Sequence, residues 1–188
     1  MNDEKVRIAT ITLSDTRTPE DDEGGELLRE RLAAAGFDVV SHAIVREEPD
    51  AMRAAVRALC EGAGVDAIVL TGGTGISPRD RTIEAIAPLF EKTLDGFGEA
   101  FRRMSWDEIG PNAMLSRAIA GTLQGRVIVA LPGSPKAVRL AVDKLLAPVL
   151  AHGLYDKKIY LIQSFSTDNV FHIDILFLFF IFVNIFMI

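Results

Sequence analysis

Three apolar runs, at residues 6–13, 67–70 and 127–131, each stop abruptly in a loop of glycine, proline and hydroxyl side chains. They are too continuously apolar for strict alternation, so they read as strands buried on both faces, which requires helices above and below a parallel sheet. Helical patterns fill the intervals. Residues 24–35 carry Leu27, Leu28, Leu32 and Ala35 at helical spacing, with Gly36 as the stop. Residues 37–44 read as a second strand, and Asp50 is the expected N-cap of a helix over 51–61 with Met52, Val56 and Leu59 on one face. Further helices are expected at 82–89, 98–104, 113–120 and 136–150. This alternation predicts an α/β fold: a three-layer, doubly wound, mainly parallel sheet with helices on both faces.

Ligands of such sheets bind beyond the carboxyl ends of the strands. Ser14-Asp15-Thr16, the loop opening at Gly72, and Pro132-Gly133-Ser134 all leave strand ends on that side. The middle loop, Thr71-Gly72-Gly73-Thr74-Gly75-Ile76-Ser77-Pro78-Arg79-Asp80, carries the most chemistry. A strand that turns into a helix presents backbone N–H groups that suit an anion. Glycines there allow positive φ and close approach of a phosphate. Arg79 adds donors for phosphate or carboxylate. Asp80 reads either as a helix cap or as a metal-binding carboxylate. The loop is no P-loop, since no Lys-Ser/Thr follows at the required spacing, and it lacks the third glycine of the dinucleotide fingerprint.

The remaining candidates carry plainer alternatives. Asp15 also suits an Asx-turn. Glu47 and Glu48 follow the second strand, either as solvated charges or as carboxylates facing Asp80 across a cleft. His42, His152 and His172 have no ligand-like spacing. Cys60, the one cysteine, excludes an internal disulfide and reads as a buried structural thiol. Phe97, Phe101 and Trp106 are candidates for an interface between subunits.

The bulk numbers bound the rest. At 188 residues the chain suits one folded domain, with 49% hydrophobic and 24% charged residues. A net charge of −6 offers no global basic field for nucleic acid. Met1-Asn2-Asp3-Glu4-Lys5 lacks the layout of a signal peptide, which predicts a cytoplasmic location. Composition divides the chain into a domain over 1–152 and a tail over 153–188, because alanine and arginine do not occur after Ala151 and phenylalanine and isoleucine take over. The apolar run 175–188 is shorter than the roughly 20 residues of a spanning helix. It is open as a docking segment, a marginal membrane anchor, or the product of a shifted coding sequence.

Ser14-Asp15-Thr16, the 71–80 loop, Leu115-Ser116-Arg117-Ala118 within 111–121, and Leu131-Pro132-Gly133-Ser134-Pro135-Lys136-Ala137 occur together and in order. On these segments the chain resembles the MoaB/MogA family of molybdenum-cofactor biosynthesis proteins. Ile44-Val45-Arg46-Glu47-Glu48 and the 101–110 segment bring it nearer the MoaB branch. The resemblance implies homotrimers or, in that branch, homohexamers. It implies adenylylation of molybdopterin by ATP with Mg²⁺, releasing pyrophosphate and leaving a precursor for a molybdenum-insertion protein. It implies that Gly72, Gly73, Thr74 and Gly75, with Thr71, Ser77 and Arg79, cradle phosphate. Ser116 and Arg117 would anchor an anionic part of the pterin or nucleotide. Ser14 and Asp15 would line one wall, and Pro132, Gly133 and Ser134 the opposite lip, with Ser134 capping the last helix. Asp80 would engage Mg²⁺. MogA-like members carry a second functional aspartate after the second strand, where this chain has Glu47. That departure leaves open a non-catalytic molybdopterin-binding or carrier protein of the same pathway.

Overall fold

A computed structural model describes residues 5–153 apart from Ala63. The tail beyond residue 153 and the first residues of the chain lie outside the described residues, and so do the expectations made for them. No helix among the described residues is long and apolar enough to cross a membrane.

The strands are β1 (Arg7–Leu13), β2 (Asp38–Val45), β3 (Ala67–Thr71), β4 (Lys92–Thr93), β5 (Ile119–Leu123) and β6 (Arg126–Leu131). They form a six-stranded sheet in the order β2-β1-β3-β6-β5-β4. β2, β1, β3 and β6 run parallel, and β5 and β4 add an antiparallel edge. Burial explains the continuous apolar runs. Ile8, Val69 and Val129 enter one core, whereas Ala9, Ile68, Leu70, Ile128 and Ala130 enter the other. Successive strand side chains point to opposite faces, so a sheet covered on both sides buries nearly every strand position, and the polar exceptions in β1, Thr10 and Thr12, are hydrogen-bonded.

Helices α1 (Glu23–Ala34), α4 (Asp95–Ile109) and α5 (Pro135–Ala141) close the first core through Leu28, Leu32, Phe101 and Val138. Helices α2 (Pro49–Glu61) and α3 (Thr82–Ile86) close the second through Met52, Val56, Cys60, Ala85 and Ile86. The doubly wound sheet expected from the alternation is present. The chain leaves β1 for β2 on one side and returns to β3 on the other. The switch point therefore lies between β1 and β3, where the crevice of such a sheet opens.

Several local expectations are corrected. Residues 113–120 are not a helix: a 3₁₀ turn covers Gly110–Leu115 and β5 follows. Pairing of β5 with β6 and β4 overrides the helical propensity of Ala120, and the Phe90 ring packs where a Gly121 side chain would stand. Gln124 and Gly125, at φ 48° and 77°, make the two-residue hairpin turn between β5 and β6. Asp50 does not cap α2. Pro49 opens that helix, so Asp50 falls inside its first turn and pairs with Arg53 at 2.6 Å. The helix expected at 136–150 is present without a gap, but it is not α-helical throughout: α5 passes through a π turn over Val142–Leu146 into α6 (Ala147–Gly153). Pro148 lacks the N–H that would bond Lys144, and the π turn accommodates the loss. Phe101 is core at 1% exposure, not interface, whereas Trp106 is half exposed.

Candidate functional site

The loops leaving β1, β2 and β3 converge at the switch point. Ser14 Oγ accepts from the backbone N–H groups of Thr16 (3.2 Å) and Arg17 (3.1 Å), a local turn made by the serine and not by Asp15. Asp15 is thereby free to reach across. Its Oδ1 accepts from the Glu47 backbone N–H at 3.1 Å, and its Oδ2 accepts from Arg79 Nη2. Arg46 Nε stands 3.9 Å from the same carboxylate. The Arg79 hydrogen bond and then the Glu47 N–H hold the Asp15 carboxyl below the usual range.

The glycine loop is pinned from beneath. Gly72 N–H donates to Leu131 O at 3.1 Å, Thr82 Oγ1 to Gly72 O at 2.9 Å, and Thr82 N–H to Gly73 O at 3.0 Å. Thr71 is buried and its hydroxyl donates to Pro132 O at 3.4 Å, which ties this loop to the Pro132-Gly133 lip. Gly72 has φ 105°, and a Cβ there would stand 2.5 Å from Leu13 O. No side chain fits between the three strand ends. Among the described residues, the N–H groups of Gly73, Thr74 and Gly75 have no acceptor. Gly72, Gly73, Thr74, Gly75, Asp80, Asn112, Leu115, Ser116, Arg117, Pro132 and Gly133 line a cavity of about 310 Å³.

The structure thus brings the glycines, Asp80, Ser116, Arg117, Pro132 and Gly133 to one cavity. Ser134 is outside its lining. As expected, its Oγ caps α5 by accepting from Ala137 N–H at 3.2 Å. Asp15, Glu47, Glu48, Pro78, Arg79 and Arg81 line an adjoining cavity of about 220 Å³. Asp80 is not the cap of α3, whose N-cap position is Arg81. Its Oδ2 accepts from Ser77 N–H at 2.9 Å and closes the turn over residues 77–80.

Arg117 is directed into the loop. Its Nε donates to Thr74 O (2.8 Å) and its Nη2 to Gly75 O (2.6 Å) and Asp80 O (3.3 Å). Its Nη1 pairs with Glu84 Oε1 at 2.5 Å.

Two carboxylates flank the glycines. A Cβ on Gly73 would stand 3.5 Å from Glu47 Oε2, and one on Gly75 would stand 2.7 Å from Asp80 Oδ2. Burial first, and then the negative charges of Asp15 and Asp80, push the Glu47 carboxyl above its ordinary range. No hydrogen bond or ion pair to its carboxylate occurs among the described residues. A partly buried, unpartnered carboxylate in a negative field suits a cation. No group of three or more His, Cys, Asp or Glu is placed to hold a metal ion among the described residues. Mg²⁺ commonly takes only one or two carboxylates and completes its octahedron with water and substrate phosphate, so Glu47 and Asp80 fit it.

Sequence reasoning missed Asn112, Thr82 and Glu84 at this site. It also missed a buried polar chain at the root of the first loop. Asp22 Oδ1 caps α1 through Gly25 N–H at 3.0 Å, while its Oδ2 accepts from Thr12 Oγ1 at 2.7 Å and meets His42 Nε2 at 2.9 Å. Gly25 is obligatory there, because a Cβ would fall on Asp22 Oδ2 and Thr12 Oγ1. The signal was an Asp three residues before a glycine at a helix start.

Residues 9–152 match the family described as "Probable molybdopterin binding domain". The chain belongs to this family. It is 50% identical over 148 residues to "Molybdenum cofactor biosynthesis protein B" of Bacillus subtilis (strain 168), covering 78% of this chain and 87% of the relative. A crystal structure of a molybdenum cofactor biosynthesis protein B superposes with a TM-score of 0.79 at 47% identity, covering 81% of this chain and 96% of the other. The "tungsten cofactor synthesizing protein MoaB from Pyrococcus furiosus" superposes with a TM-score of 0.70 at 36% identity, covering 81% and 97%. The expected kinship with the MoaB branch is borne out, and the matched span contains both carboxylates, the glycine loop, Ser116-Arg117 and the Pro132-Gly133 lip.

Proposed function

We propose that this chain acts in molybdenum cofactor biosynthesis by adenylylating molybdopterin. The observation that carries the reading is the set of unpaired N–H groups at Gly73, Thr74 and Gly75, flanked by Glu47 and Asp80. Such donors suit phosphate oxygens, and the carboxylates suit a divalent cation bound to the same phosphates. The MoaB name of the relatives supports the pathway.

In the proposed reaction a terminal phosphate oxygen of molybdopterin attacks the α-phosphorus of ATP. A P–O bond forms there, the bond to the β-phosphate bridging oxygen breaks, and pyrophosphate leaves with that electron pair. Gly73, Thr74 and Gly75 hold phosphate oxygens, and Ser116 with Asn112 offers side-chain donors across the cavity. Glu47 and Asp80 would hold Mg²⁺, which when bound neutralises charge on the phosphates. The protein's contribution is placement and electrostatics.

Purified protein given molybdopterin and Mg-ATP should release pyrophosphate and yield the adenylylated pterin. Asp80→Ala should reduce that turnover by about 100-fold or more with pterin binding retained. Tight pterin binding with no pyrophosphate release would support the carrier alternative, which the longer Glu47 in place of aspartate favours. Trimer or hexamer assembly and a molybdenum-insertion partner belong to the same proposal, and sedimentation of the full chain tests the first.

A further inference from the structure

Arg117 is placed like a ligand-binding cation, but each of its three guanidinium nitrogens is already engaged within the protein. Nε and Nη2 are committed to carbonyl oxygens of Thr74, Gly75 and Asp80, and Nη1 and Nη2 both approach the Glu84 carboxylate, at 2.5 and 3.4 Å. Glu84 lies on α3, outside the residues that line the cavity, and its side chain is 58% exposed. We propose that Arg117 and Glu84 form a positioning pair that holds the glycine loop in its binding shape, so that Arg117 acts on a ligand through the loop and not by touching it.

The peptide plane supplies the mechanism. A peptide is planar and trans, so its N–H points opposite to its C=O. Fixing the carbonyls of Thr74 and Gly75 therefore fixes the directions of the Gly75 and Ile76 N–H groups. Without the guanidinium, those carbonyls would be free to rotate towards a bound anion and repel it. The third carbonyl, of Asp80, is the far end of the same loop. One planar group thus joins the glycine segment to the metal-facing carboxylate residue. Glu84 fixes the guanidinium in turn with a charge-assisted pair, and Arg117 holds the Glu84 carboxyl below its usual range. Lysine, with one compact ammonium, cannot reproduce this fork.

The inference rests on reading the 72–80 loop as a phosphate cradle, and two measurements separate the pair from that reading. The first is amide hydrogen exchange of the full-length chain without ligand. Glu84→Gln, a change at an exposed side chain, should raise exchange across residues 73–81, and Arg117→Lys should raise it further. In the combined variant the effects should fall short of additive, because both act through one clamp. The second is binding of Mg-ATP at fixed ionic strength. Glu84→Gln should weaken it about fivefold. If Arg117 instead binds the anion directly, removing the Glu84 charge strengthens the local positive field and Glu84→Gln binds Mg-ATP more tightly. Unchanged exchange, or tighter Mg-ATP binding, overturns the proposal. Raised exchange with unchanged Mg-ATP affinity supports the positioning pair and overturns the cradle.

Discussion

The carboxylate of Asp15 accepts the backbone N–H of Glu47 at 3.1 Å, so the loop after β1 decides where the loop after β2 presents its acid. Arg79, from the loop after β3, closes on the same carboxylate. One side chain therefore sets the spacing of three strand ends across the switch point.

Asp15→Asn keeps an oxygen for the Glu47 N–H but removes the charge that holds Arg79, whereas Asp15→Ala removes both. Mg-ATP affinity should fall modestly in the first and further in the second, and isothermal titration of the two variants checks the order. The carboxyl is held below the ordinary aspartate range by Arg79, so its contribution to stability is full above that range and is lost as pH falls through the lowered folded value.

Glu47 has the opposite sign. Its folded carboxyl is raised above 4.5, so the folded state binds the proton more tightly than the unfolded chain and loses stability as pH rises through the folded value. Glu47→Gln should therefore stabilise the metal-free protein at pH 7, by about 0.5 kcal/mol at most because solvent screens the carboxylate. That gain should vanish below pH 4.5. Mg²⁺ should raise the melting temperature of the parent chain more than that of Glu47→Gln. Melting curves with and without EDTA test both statements.

Gly72→Ala should cost about 2–3 kcal/mol. The added methyl meets a backbone oxygen, Leu13 O, and the residue would sit at φ 105°, so neither a rotamer change nor a small shift relieves it. Urea unfolding should show the loss as a lower midpoint at unchanged slope.

Asp22→Ala removes the cap of α1 and strands the Thr12 hydroxyl and His42 Nε2 beside a buried gap. A loss of about 2 kcal/mol is expected, with a fall in melting temperature of about 5 °C for a domain of this size. Asp22→Asn, which keeps the shape and one acceptor, should lose less.

The layered fold was legible because burial on both faces writes a near-continuous apolar pattern into β3 and β6 and a mostly apolar one into β1. The antiparallel edge was not. β4 is two residues long, and β5 is built from Ile119, Ala120, Gly121, Thr122 and Leu123, which have no strong preference until Phe90 and β6 are beside them. Ser14, Asp15, Gly72, Gly73, Thr74, Gly75, Asp80, Pro132 and Gly133 were readable because short polar loops after buried strands fall on one edge of a parallel sheet. Asn112, Thr82 and Glu84 were not, since each matters through a partner far away in the chain.

The amino-acid pattern alone determined which residues could serve: glycines where backbones meet, carboxylates and an arginine in loops after strands, and an order of segments that names the family. Tertiary structure decided what each does. Arg117 and Arg79 look equivalent in sequence, yet packing spends one on loop carbonyls and Glu84 and the other on Asp15. Glu47 and Asp15 are both loop acids, yet burial and neighbouring charge raise the first and arginine lowers the second. A side chain's chemistry is local, but the field and the hydrogen-bond partners that set its role come from residues that only the fold brings near.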